Sequence, residues 1–187
     1  MAMSKKELII KTAEWARERG LHKGCYQMQI LKLAEELGEL IGAHLKLKKG
    51  PSDKWRQVQK DSVGDMLVVM GVARAILIEA GETMEYRPAP REKELNVMPF
   101  ASKIEPWTAC ASKTGEFALF EILSDIGRVN FFREDNLIFI LDGVWKELQE
   151  YCIGESLDIL ECWELAYNEV AQRKGKTIGG VFVKNGD

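Results

Sequence analysis

Apolar residues recur at helical spacing through most of this chain. Between Ser4 and Arg19, Leu8, Ile9, Ala13, Trp15 and Ala16 fall on one side of a predicted helix, with Ser4 placed to cap its start and Gly20 to stop it. From Gln27 to Lys48 the repeat continues through Ile30, Leu33, Leu37, Leu40, Ile41, Ala43 and Leu45, and the helix closes on lysines near the negative end of its dipole. Pro51, Ser52 and Asp53 mark a turn and a cap. The next helix is predicted to run to Ala80 and stop at Gly81, apolar on one face at first and nearly all round from Met66. Between Tyr86 and Thr114, Pro88, Pro90, Pro99 and Pro106 fall in a stretch without sustained period, which reads as an irregular excursion. Helical spacing resumes at Phe117, Phe120, Leu123, Ile126 and Val129, again from Asn136 to Tyr151, and again from Ser156 to Arg173, with Asp135 and Ser156 as caps. The tail "TIGGVFVKN" reads as extended chain lying across the helices. Six helices and few strands predict an all-α antiparallel bundle.

Composition narrows the class. The 187 residues suit one domain spanning 1–187, and 46% apolar with 29% charged residues exclude collagen-like, mucin-like and largely disordered chains. A net charge of −3 supplies no general attraction to nucleic acid or anionic lipid, so neither is an expected partner. The longest apolar run, Met66 to Ile78, is broken by Gly71 and Arg74, well short of a membrane span. Lys5, Lys6 and Glu7 precede only a short apolar patch, unlike a signal peptide, which predicts a cytoplasmic protein. Cys25, Cys110, Cys152 and Cys162 show no C-x-x-C spacing, so the expectation is buried reduced thiols rather than a zinc or redox motif.

The chemistry is concentrated in two acidic segments. "KLAEELGEL" places Glu35, Glu36 and Glu39 within about one and a half turns, with Glu36 and Glu39 about 60° apart around the axis. "DSVGDML" places Asp61 and Asp65 one turn apart, just ahead of the most apolar segment. The turn between these helices makes them antiparallel neighbours, so the acidic faces can converge. Hard divalent cations such as Mg²⁺, or Mn²⁺ in its place, take several such oxygens. Solvated helix faces with i,i+4 ion pairs are the competing account. Gly38 and Gly64, poor helix formers beside the acids, favour a close approach of two helices or of a ligand.

"EELGE" followed by "DSVGD" resembles the Glu-Glu-x-x-Glu and Glu-x-x-Asp signature of the all-α nucleoside triphosphate pyrophosphohydrolases, the MazG-like superfamily. "EWARERGL", "QILKLAEELGEL", "KDSVGDMLVVM" and "YNEVAQRKGKTIGGVFVK", in that order, are most similar to its small phage and bacterial members. The resemblance implies Mg²⁺-dependent cleavage of a nucleoside triphosphate to a monophosphate and pyrophosphate, a pool-sanitising or housekeeping task, by a homodimer or higher homo-oligomer. It implies Glu36, Glu39 and Asp65 as metal ligands and Glu35 as the accompanying acid. Where the family has Glu, this chain has Ser62, and Asp61 is the candidate substitute. Glu35 or Glu39 is the expected catalytic carboxylate that orients the attacking water.

Lys32 and Gln29, one and two turns before Glu36, are candidates for substrate phosphate or base, although Lys32 reads equally as an ion-pair partner. Near the end of the last helix the resemblance implies Asn168, Arg173 and Lys176 as triphosphate-binding residues; dipole complementarity also explains bases there. Trp15 reads as core or as the wall of a base pocket, and His22 and His44 are assigned no role. Residues 86–155 form an insert relative to small members. Its "ILSDIGRV" echoes "LAEELGEL", with Asp125 at the position of Glu36, Gly127 at that of Gly38 and Arg128 in place of Glu39, a degenerate repeat if the echo is real. Alternatives are a dUTPase, a dCTPase-type enzyme or a phosphoribosyl-ATP pyrophosphohydrolase, which share the metal motif, and a non-enzymatic helical interaction module.

Overall fold

The computed structural model describes residues 2–84, 115–128, 134–178 and 181–184. The proline-rich stretch, Cys110 and the whole link between the third and fourth helices therefore lie outside the described residues. In chain order come α1 (Lys5–Glu18), a short 3₁₀ turn (Leu21–Lys23), α2 (Tyr26–Leu47), α3 (Asp53–Met84), α4 (Gly115–Arg128), α5 (Glu134–Gly154), α6 (Ile159–Gln172), β1 (Gly175–Ile178) and β2 (Val181–Lys184). The all-α expectation holds, with six helices among the described residues. No described helix is long and apolar enough to cross a membrane.

Local chemistry explains most boundaries. Ser4 and Glu7 form a reciprocal capping box, each accepting from the other's backbone N–H, and Gly20 takes the left-handed conformation (φ 70°) that ends α1 and opens the 3₁₀ turn. Three boundaries differ from expectation. α3 continues through Gly81 to Met84, since an isolated glycine weakens a helix by only about 1 kcal/mol. α5 starts at Glu134, which places Asp135 inside the first turn instead of at the cap. α6 is capped by Asp158, whose carboxylate accepts from the N–H groups of Leu160 and Glu161, while Ser156 occupies a left-handed turn (φ 54°) ahead of it. The tail is extended, as expected, but it satisfies its backbone by pairing with itself: β1 and β2 are antiparallel, with Ile178 opposite Val181 and Thr177 opposite Phe182.

The apolar girdle of α3 makes it the central helix. It runs antiparallel to α2, packs along α6 and is crossed by α1. Val63, Met66, Leu67, Met70 and Ala73 are buried at these contacts. Two α3 glycines permit close crossings. A Cβ at Gly71 would come 2.6 Å from Cγ2 of Thr12 on α1, and one at Gly64 would overlap the Cys162 carbonyl oxygen on α6. Gly38 has open space around its Cβ position, so the close approach expected there is absent. Cys152 and Cys162 are buried free thiols, pushed up to about 12 and about 11 by desolvation; Cys25, contrary to expectation, is exposed.

Helices α4 and α5 form a second hairpin, with α4 against α2 and α5 against α3. Asp125 lies against Gly143 of α5, where an added Cβ would come 2.6 Å from its Oδ2, so this acid faces its partner helix. A buried polar network ties the hairpins together at one end of the bundle. Gln59 donates to the Tyr151 hydroxyl (2.6 Å) and to Glu155 (3.2 Å), Arg56 donates to Gln59 Oε1 (2.8 Å), and His44 Nδ1 lies 3.2 Å from the same hydroxyl. Tyr151→Phe is expected to cost about 1–3 kcal/mol of stability in urea unfolding, because His44 and Gln59 lose a shared buried partner.

Candidate active site

Where the acidic part of α2 faces α3, the helices border a cavity of about 560 Å³, within the range that holds a small ligand. Glu35, Glu36 and Glu39 enter it from α2 and Asp65 from α3, so four of the five predicted acids share one cavity. Helical periodicity brings them there: Leu33, Leu37 and Leu40 turn into the core, which leaves the acids at its edge. Glu36 is the deepest of the α2 acids, only 7% exposed. Lys32 Nζ bridges Glu35 (2.8 Å) and Glu36 (3.2 Å). Burial raises the Glu36 carboxyl above its ordinary range; the Lys32 charge opposes this, and Glu39 and Glu35 add to it. Asp65 is raised to about 6, first by desolvation and then by the negative charge of Glu36, with Arg173 partly offsetting them.

The remaining predicted residues divide. Gln29, Lys32 and Arg173 line the cavity. Arg173 Nη2 donates to Glu169 (2.6 Å), the ion-pair arrangement that competes with phosphate binding in an unliganded site. Asp61 is exposed and does not line the cavity; its Oδ1 accepts from Gln57 (2.7 Å), and it reaches Asp65 only through its charge. Ser62 is buried and donates back to the Val58 carbonyl (2.9 Å), so its hydroxyl is spent inside α3. Asn168 is exposed on α6 and Lys176 lies on β1, and neither lines the cavity. The hairpin carries Lys176 away because β1 turns to pair with β2.

Apolar side chains complete the wall. Trp15 is both core and cavity lining, with its Nε1 donating to the Val170 carbonyl (3.1 Å). Phe182 from β2 lies with its ring centroid 6.0 Å from that of Trp15, tilted by 56°. Arg19 holds the pair, 5.1 Å from the Trp15 ring and 5.4 Å from Phe182, while donating to the Arg173 carbonyl (3.0 Å). Thr177 donates to the Arg19 carbonyl (2.6 Å), which fastens the hairpin to the end of α1. Phe182 and Arg19 have no sequence signal as site residues beyond an aromatic in a β-like tail and a base after the first helix; folding alone brings them together.

Carboxylate oxygens on a shared wall are the donor type that Mg²⁺ or Mn²⁺ takes, and Asp65, raised mainly by desolvation, also feels the negative charge of Glu36. The acids are not drawn to one point: among the described residues no three His, Cys, Asp or Glu side chains are arranged to hold a metal ion. Lys32 accounts for part of this, since its ammonium already holds Glu35 and Glu36. No protein-family model, curated protein or solved structure matches this chain.

Proposed function

We propose that this chain is a divalent-cation-dependent nucleoside triphosphate pyrophosphohydrolase of MazG-like type. The observation that carries the reading is the single cavity in which Glu35, Glu36, Glu39 and Asp65 stand beside Lys32 and Arg173 and under an apolar wall with Trp15 and Phe182. Acids that can take a cation, bases that can take phosphate and aromatic side chains that can pack a nucleobase are a combination that suits nucleotide cleavage. Once Lys32 releases Glu36 and the carboxylates turn toward one another, Glu36, Glu39 and Asp65 would hold Mg²⁺, which when bound neutralises charge on the phosphate oxygens. Asp61, turned to Gln57, is left out of that set.

Lys32 and Arg173 would exchange their carboxylate partners for phosphate oxygens as substrate enters. Glu35 or Glu39 accepts a proton from the attacking water as its oxygen bonds to the α-phosphorus and the bond to the α–β bridging oxygen breaks. The products are a nucleoside monophosphate and pyrophosphate.

The test is pyrophosphate release from a panel of common and modified nucleoside triphosphates with Mg²⁺. Glu39→Gln is expected to lower the rate by about 100-fold or more, and Asp61→Asn by less than about tenfold with unchanged metal dependence. No release from any triphosphate would overturn the activity, and an unaffected Glu39→Gln would overturn the site. One observation favours the interaction-module reading: Phe117, Phe120 and Leu123 are exposed on α4 by 46%, 66% and 51%. That face also suits a homo-oligomer, and only the module reading requires that no triphosphate be cleaved.

A further inference from the structure

Two glutamine side chains are buried in the described structure, and they differ in one respect. Gln59 is fully engaged, donating to Tyr151 and Glu155 and accepting from Arg56. Gln29 is 7% exposed, lines the cavity, and makes no side-chain hydrogen bond to any described residue. Its amide atoms stay open to the cavity, so a ligand that fills the cavity and strips solvent from them must offer acceptors for two donors and a donor for one carbonyl in return.

Its position says which part of a ligand that is. Gln29 lies seven residues before Glu36 on α2, which at 1.5 Å per residue is about 10 Å along the axis. The antiparallel helix α3 repeats the gradient, with Asp65 facing the acids while Val68, Val69 and Val72 line the cavity further toward Gln29. The cavity thus has an acidic end and an apolar end carrying one buried amide. Ionised phosphate oxygens only accept, so they would leave the Gln29 carbonyl without a partner. The edge of a nucleobase, with a donor beside an acceptor, satisfies both halves of the amide.

We infer that Gln29 is a specificity residue that reads the hydrogen-bonding edge of a nucleobase at the apolar end of the cavity, while the phosphate chain lies at the acids. This inference rests on the cavity being a nucleotide site, but not on hydrolysis taking place there. Calorimetric titration of the full chain with adenosine, guanosine, cytidine, uridine and thymidine monophosphates, and separately with inorganic triphosphate, tests it. The wild type is expected to prefer one base, and Gln29→Leu to weaken that nucleotide by about tenfold or more while changing inorganic triphosphate by less than about twofold. Gln29→Glu, of nearly the same shape but without the amide donors, is expected to lose the same preference and guards against a folding defect in the leucine variant.

Equal weakening of nucleotide and inorganic triphosphate would assign Gln29 to phosphate and overturn the inference. So would a wild type without base preference, or one that binds no nucleotide. A preference that depends on Gln29 in a protein that releases no pyrophosphate would support the inference while overturning the hydrolase reading.

Discussion

Asp65→Asn is expected to reduce pyrophosphate release by about 100-fold or more and at the same time to stabilise the metal-free protein by roughly 2 kcal/mol at pH 8. The two effects have one cause. Desolvation and the charge of Glu36 raise Asp65 from 3.8 to about 6, so the folded state holds its proton more tightly than the unfolded chain. Below about pH 3 the carboxyl is protonated in both states and imposes no penalty. As pH rises toward 6 the unfolded chain ionises first, stability falls, and above 6 the penalty is constant. A shift of about two units corresponds to nearly 3 kcal/mol, reduced to roughly 2 because Asp65 keeps some contact with solvent.

Urea unfolding in chelator at pH 3 and pH 8 checks this: asparagine should match the wild type at the lower pH and exceed it at the higher. No gain at pH 8 would show that the charge crowding is already relieved in the free protein. Adding Mg²⁺ should raise the melting temperature of the wild type and move the variant much less, since a cation bound only to the folded state stabilises it by mass action.

Gly64→Ala, one residue away, is expected to cost about 3 kcal/mol. A Cβ there would overlap the Cys162 carbonyl oxygen and come 2.7 Å from Cβ of Ala166. The first obstacle is backbone and the second is a short side chain fixed to it, so neither can swing aside. α6 must move off α3, and Val170 and Arg173 at its end move with it, widening the cavity opposite Asp65. Activity should therefore fall along with the melting temperature. Gly38→Ala is the control: with open space at its Cβ position in a helix interior, it should gain about 0.5–1 kcal/mol. Similar shifts in the two melting temperatures would overturn this account of α3–α6 packing.

The contrast between these glycines illustrates what a sequence can express. Both stand in helices beside acids, and spacing alone assigns them the same role. Gly64 faces a helix more than ninety residues further along the chain, while Gly38 faces open space, and no local pattern carries that difference. The Asp158 cap is a milder case. Ser156 and Asp158 are both good capping residues, and a left-handed turn at Ser156 selects the second.

Sequence by itself determined the helices, the antiparallel pairing of α2 and α3, and the placement of Glu35, Glu36, Glu39 and Asp65 at the edge of the core. These follow from a 3.6-residue period and a short turn, which are local properties. Tertiary structure alone decided that Asp61 turns to Gln57, that Lys32 bridges two of the acids, that Trp15 and Phe182 form one wall with Arg19 stacked on both rings, and that Gln29 is buried along the cavity. Those outcomes depend on desolvation and on contacts between segments distant in sequence, and both arise only when the helices pack.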